Sequence, residues 1–291
     1  MARVEITKPD KRLFPDGTTK AQLAAYYEGV ADVMLPHLRD RPLNLQRFPD
    51  GVEGHGIFQQ RIPDYFPDWI GRATVGTADG PATHVVARDA DTLVYLANQA
   101  AIGLHAWLSR ADRLKRPDRL MFDLDPGEAT TLAGVRRAAR EVGELLSELG
   151  LEPFVMATGS KGFHVVVPLQ RRHGFDDVRA FARDVARVAV SRDPGGLTLE
   201  QRIAKRGGRM RVDVQRNTYG HTAVAPYSVR AKAKATVAVP LEWEELGRAR
   251  PDGWTVKTVP RRLAERGDAW AGIARRAQSL GAARRALDGL L

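Results

Sequence analysis

The sequence contains no cysteine, which excludes a disulfide framework and any thiolate zinc site. Aromatic residues are sparse, at 7%. No stretch approaches the ~20 apolar residues a membrane span needs. The opening residues, MARVEITKPDKRLFPDG, have no apolar signal core, so a cytoplasmic protein without a membrane partner is expected. Internal repeats and low-complexity linkers are also missing. Acidic charge runs short in one region only: residues 201–291 hold 19 Lys/Arg against 8 Asp/Glu, while residues 1–200 hold 26 against 27. The net charge of +10 therefore arises in the last third. It is densest in QRIAKRGGRMRVDVQR, where Arg202, Lys205, Arg206, Arg209, Arg211 and Arg216 crowd around Asp213. A basic surface of this kind favours polyanions through counterion release, although a merely solvated Arg-rich face has the same composition.

What is present is an ordinary globular composition, 43% hydrophobic and 27% charged over 291 residues. That length fits one large mixed domain or two lobes sharing a cleft. TTKAQLAAYYEGVADVML has a helical apolar stripe behind the capping residues Thr18 and Thr19. DTLVYLANQAAIGLHAWL repeats that period from Leu93 through Leu104 to Leu108, which predicts a helix over 92–108. RLMFDLD reads as a strand, and TTLAGVRRAAREVGELLSELG as a capped helix stopped by Gly150. PFVMATGSKGFHVVVPL reads as strand, Gly-flanked turn and strand, followed by a helix in DDVRAFARDVARVAV and strands at RMRVDVQ, TAVAPYSV and ATVAVP. The last thirty residues form a helical tail. Helices and strands alternate irregularly, so the fold class is α+β, a mixed sheet and not a doubly wound parallel one.

One segment carries unexpected charge. MFDLDPG sets two aspartates in an apolar strand, and burying ionised carboxylates without partners is costly. Strand side chains alternate, so Asp123 and Asp125 share one face and Phe122 and Leu124 the other. Clustered carboxylate oxygens suit a hard divalent cation, Mg²⁺ or Mn²⁺, which removes their repulsion. The pair Asp89 and Asp91 has the same spacing but starts a helix, where capping explains it. Asp213, between two valines of a strand, is the best third carboxylate, and three aspartates can hold two cations for an in-line phosphoryl displacement. An exposed aspartate paired with a neighbouring arginine is the plainer reading of Asp213.

ATGSKGFHVVVPL adds an anion-binding turn. Gly159 and Gly162 permit a tight backbone, and Ser160 and Lys161 offer a hydroxyl and an ammonium. It is not a Walker A loop, because the spacing is short and a strand follows. His164 opens that strand, and Arg230, Lys232 and Lys234 lie further on. Either they neutralise phosphate or they end a solvated hairpin.

LMFDLDPGE, TGSKGFHVVVPL, RVDVQRN and TAVAPYSVRAKAKATVAVPLEWEEL, in that order, resemble the motifs of the polymerase domain of bacterial non-homologous end-joining ligases (ligase D), a branch of the archaeo-eukaryotic primase superfamily. TKPDKRLFPDGTTKAQLAAYYEGVADVMLPHLRDRP and RFPDGVEG are similar too, so the resemblance spans about residues 5–260. It implies a primase-polymerase core whose central mixed, RRM-like sheet is flanked by helices. The expected catalytic domain covers residues 1–260. Within it, about 1–110 would bind DNA and a 5′-phosphate and about 111–260 would form the two-metal core; residues 261–291 would be a tail packed on that core. With no ligase or nuclease motif in view, a stand-alone, monomeric polymerase is expected.

The resemblance also implies roles. Asp123, Asp125 and Asp213 would bind two Mn²⁺ or Mg²⁺ ions and be catalytic. Thr158, Ser160, Lys161 and His164, with Arg206 and Arg230, would contact the incoming NTP or dNTP, and His105 would sit near its ribose, which suits ribonucleotides. Lys11 and Lys20 would hold the 5′-phosphate of gapped or primed DNA, and Phe58 would stack on a template base. Ku and a separate ATP-dependent ligase would be partners. Thr158 replaces a family serine, and Gln46 stands where some members have a DNA-contacting lysine. Two other classes are weighed against this reading. One is a phosphatase of the haloacid dehalogenase type, with Asp123 as nucleophile; the other is a non-catalytic nucleic-acid-binding module, which leaves the carboxylates unexplained.

Overall fold

A computed structural model of the chain describes residues 4–77 and 80–291. The chain forms two compact units. Residues 1–114, 222–239 and 252–268 belong to the first, and residues 115–221, 240–251 and 269–291 to the second.

The first unit begins with α1 (Lys20–Gly29), whose N-terminus Thr19 and Gln22 close reciprocally as a capping box. The expected continuation of this helix breaks at Val30, where the backbone leaves helical geometry, and α2 (Ala31–Leu38) starts anew. Strands β1 (Leu43–Arg47), β2 (Ile57–Gln59), β3 (Gly71–Thr77) and β4 (Gly80–Val86) follow. Next come α3 (Ala90–Asn98) and β5 (Ala101–Trp107). The helix expected over 92–108 is therefore a helix and a strand. Ala100, at φ 55°, turns the chain between them. Six of the seven β5 residues are buried, so the strand shows no polar alternation and its apolar run passes for a helical face. As expected, Asp89 caps α3, accepting from the Thr92 N–H at 2.8 Å.

The second unit contains β6 (Arg119–Asp125), α4 (Leu132–Glu148), β7 (Phe154–Ala157), β8 (Phe163–Pro168), α5 (Phe175–Arg192), β9 (Leu197–Thr198) and β10 (Met210–Asp213). Strand β11 (Thr222–Val224) then returns to the first unit's sheet, β12 (Val239–Leu241) borders the second sheet, and α6 (Val259–Arg266) and α7 (Leu280–Asp288) end the chain. The strand expected over TAVAPYSV is thus only three residues long, because Tyr227 adopts φ 64°. The expected strand at ATVAVP shifts to Val239–Leu241, and the helical tail is short pieces.

Each unit is organised by a six-stranded sheet. The first has the order β11-β5-β1-β4-β3, with β2 also paired to β1; the second has the order β12-β7-β8-β6-β10-β9. Within the second, β6-α4-β7-β8-α5-β10 is the RRM-like βαββαβ arrangement with antiparallel pairing. Phe122, Leu124, Val165 and Val212 are all buried, which commits one face of that sheet to the core and leaves the alternate positions for chemistry.

Candidate active site

The second sheet assembles most of the residues singled out above. Asp213 stands directly opposite Asp123 across the antiparallel β6–β10 pair, and Arg211 opposite Asp125. On the other side of β6, His164 of β8 is the cross-strand partner of Asp123. Directly paired residues share a face, so His164, Asp123 and Asp213 form one row, with Asp125 two residues along β6.

Each carboxylate is matched by a cation. Asp123 Oδ1 lies 3.4 Å from His164 Nε2, and its Oδ2 accepts from Arg216 Nε at 3.2 Å. Burial opposes ionisation of Asp123, but His164 and Arg216 outweigh it and hold the carboxyl well below the usual range. Asp125 Oδ2 accepts from Arg206 Nη1 at 2.9 Å. The Arg206 side chain is 2% exposed and also donates to the Glu200 and Gln201 carbonyls, so residues 200–206 are wound around one guanidinium. Asp213 Oδ1 pairs with Arg211 Nη2 at 3.1 Å and accepts the Gln215 N–H at 2.8 Å.

All three donors are carboxylates, the ligand type that Mg²⁺ and Mn²⁺ take. Arginines occupy their oxygens, and among the described residues no group of three or more acidic or histidine side chains is gathered as a metal cage. The donor chemistry fits divalent cations, and a bound ion would take over contacts that the guanidinium groups now make.

The Gly-Ser-Lys-Gly turn lies against the same strand. A Cβ on Gly162 would fall 1.8 Å from the Leu124 carbonyl oxygen, so only glycine lets the turn pass this close to β6. Gly159 takes φ 66°, and the Thr158 hydroxyl donates to the Gly162 carbonyl at 2.7 Å. Thr158 thus closes the turn, while Lys161 is exposed and Ser160 half-buried. Sequence reasoning passed over Arg211 and Arg216 as site residues. Their signal was the same arginine cluster, and what it lacked was the strand register that sets Arg211 and Asp213 across from β6.

The remaining residues belong to the first unit. His105 lies on β5, opposite Asn44 and Val224, and not at a helix end. The Phe58 ring, on β2, meets its imidazole edge-on with centroids 5.7 Å apart. Phe58 pairs across the strands with Gln46. Lys20 opens α1 with its Nζ 3.3 Å from Thr7 Oγ1, and its amide donates to the Lys11 carbonyl. Burial, then Lys11 and Lys8, lower the Lys20 pKa. Lys11 also pairs with Asp50 at 3.3 Å. Arg230 is held through its amide to the Thr236 carbonyl at 2.7 Å.

Comparison with known proteins defines the class. Residues 19–270 match the family described as "LigD, primase-polymerase domain", so the chain is a nucleotidyltransferase of the polymerase type, a class that works with divalent metal ions. The solved "Polymerase Domain from Mycobacterium tuberculosis Ligase D in complex with DNA" superposes with a TM-score of 0.88 at 33% identity, covering 95% of this chain and 99% of that one. The chain belongs to the LigD primase-polymerase domain family. "Multifunctional non-homologous end joining protein LigD" of Pseudomonas aeruginosa is 34% identical over 288 residues, 98% of this chain and 34% of the relative. "Bifunctional non-homologous end joining protein LigD" of Bacillus subtilis is 30% identical over 268 residues, 91% of this chain and 43% of the relative. The chain spans about a third of the length of the mycobacterial LigD proteins it matches. The phosphatase and the non-catalytic module are not favoured. Among the described residues, no helix is long and apolar enough to cross a membrane.

Proposed function

We propose that this chain fills short gaps or extends ends in bacterial DNA during non-homologous end joining, adding nucleotides, ribonucleotides by preference, to a primer 3′-hydroxyl. The observation that carries the reading is the opposition of Asp123 and Asp213 on one sheet face, beside Asp125, in a chain of this family.

Asp123, Asp125 and Asp213 would hold two ions, Mg²⁺ or Mn²⁺. Bound there, the ions supply acidification of the primer hydroxyl and neutralisation of the triphosphate. The 3′-oxygen bonds to the α-phosphorus, the bond to the bridging oxygen breaks, pyrophosphate leaves and the hydroxyl proton passes to solvent. Lys161 and Arg206 offset charge on the departing pyrophosphate, and Ser160 and His164 orient the nucleotide. Thr158 serves by shaping the turn. In the first unit, His105 is assigned to the sugar, Arg230 to the phosphates, Phe58 to a template base, and Lys11 and Lys20 to a downstream 5′-phosphate. Ku and a separate ligase are proposed partners, and the bacterial nucleoid is the proposed place of work for a monomer. Residues 1–110 are read as the DNA-binding part, 111–260 as the catalytic core and 261–291 as a packed tail.

The test is nucleotide addition to gapped duplexes with and without a 5′-phosphate. Addition stimulated by the phosphate supports the reading, and phosphate-independent addition removes the assignment of Lys11 and Lys20.

A further inference from the structure

The first unit displays two large rings that the proposed function does not use. Tyr65 is 61% exposed and Trp69 49% exposed, in a chain with few aromatics. Neither hangs from a loose loop. Arg72 donates to the carbonyls of Phe66, Pro67, Asp68 and Ile70, so one guanidinium ties down the whole turn that carries Trp69. The rings brace each other as well. Tyr65 meets Phe66 edge-on at 5.2 Å, Phe66 meets Tyr95 at 5.1 Å, and Trp69 meets Tyr95 at 5.7 Å. Arg47 donates to the Tyr65 hydroxyl at 2.9 Å and to Gln59 Oε1 at 2.7 Å. Exposed rings held this firmly bind something flat at little entropic cost.

We propose that Tyr65 and Trp69 form a stacking platform for single-stranded DNA, distinct from the base contact assigned to Phe58. Two observations select this occupant. Arginines are interleaved with the rings, Arg47 at Tyr65 and Arg72 within the turn, and the turn's own Asp68 lies 3.7 Å from Arg72. Cations among exposed aromatics are the pattern that holds unpaired bases and their backbone without regard to sequence. The platform is also tied to β2. Gln59, bonded to the same Arg47 as Tyr65, adjoins Phe58, and alternation along the strand points these two side chains to opposite faces. An unpaired strand that leaves Phe58 reaches the platform by rounding β2.

This inference rests on the polymerase reading, and the experiment separates the two. Affinity is measured by fluorescence anisotropy for a primed duplex whose template ends flush, or extends as 2, 4, 8 or 12 unpaired nucleotides. The proteins are the full chain, a Tyr65→Ala/Trp69→Ala double variant and a Trp69→Phe variant, and filling of a short gap in a duplex without overhangs is followed in parallel. Affinity of the parent rises with overhang length, the double variant loses that gain by roughly tenfold per ring, and Trp69→Phe keeps most of it. Gap filling is unchanged in all three. A parent indifferent to overhang length overturns the proposal, as does a double variant that binds every duplex like the parent, which leaves the rings to a protein partner. Loss of gap filling in the parent itself counts against the polymerase reading and not against the platform.

Discussion

Asp213 faces Asp123 across the β6–β10 pair, at a register position where two carboxylates share one side of the sheet. Two like charges so placed are unfavourable unless cations intervene, and Arg211 and Arg216 do so here. If metal ions take that place in the working enzyme, Asp213→Asn keeps the shape and removes a ligand charge. Nucleotide addition then falls roughly 10³-fold, the rate equivalent of several kcal/mol of charge stabilisation. DNA affinity by anisotropy is unchanged or slightly higher, since an anionic group has gone.

Arg216 competes with any cation for Asp123. Its side chain is 41% exposed, so solvent screens it and its removal is tolerated by the fold. Arg216→Gln should tighten Mn²⁺ binding, measured calorimetrically without nucleotide, by about three- to tenfold. Unchanged or weaker binding would remove Arg216 from the electrostatics of the site.

Gly162 is required by close approach, not by backbone angle. A methyl group there meets the Leu124 carbonyl, and neither main chain can yield without moving Asp123 and Asp125. Gly162→Ala should cost about 3 kcal/mol or more of stability, read as a lower midpoint in urea, together with loss of nucleotide addition. By contrast, Gly247→Ala, with no atom within 4 Å of the added carbon, leaves the midpoint nearly unchanged.

Lys20 is desolvated and sits near Lys11 and Lys8, and all three effects favour its neutral form. A bound 5′-phosphate needs the charged form. Stimulation of gap filling by a 5′-phosphate should therefore fade on the alkaline side at lower pH than an ordinary lysine would give. Lys8→Gln relieves one repulsion and shifts that fading to higher pH; a shift in the opposite direction would exclude Lys20 as the phosphate contact.

Much of the candidate site was legible because it is local. The Asp-x-Asp of β6, the Gly-flanked turn and the arginine run are each contiguous, and strand alternation alone puts Asp123 and Asp125 on one face. The contrast with Asp89 and Asp91 held for the same reason, since a helix cap is settled within three residues. What escaped was register. Nothing near Arg216 in sequence shows that it meets Asp123, and the pairing of His164 with Asp123 depends on where β8 aligns along β6. Arg211, two residues before Asp213 on one strand, is by contrast the neighbouring arginine of the plainer reading of Asp213. The helix expected over 92–108 failed on burial. In β5, Ala101, Ile102, Leu104, Ala106 and Trp107 are all buried, and a strand covered on both sides has no alternation to read.

Transfer of a nucleotide to a primer is the central claim, and single-turnover addition to a gapped, 5′-phosphorylated duplex with Mn²⁺ and one complementary NTP tests it most directly. The parent chain should extend the primer by one nucleotide and release pyrophosphate, and Asp123→Ala should bind the same duplex without extending it. Extension by Asp123→Ala at the parent's rate, or a parent that binds the duplex and extends nothing, would contradict it.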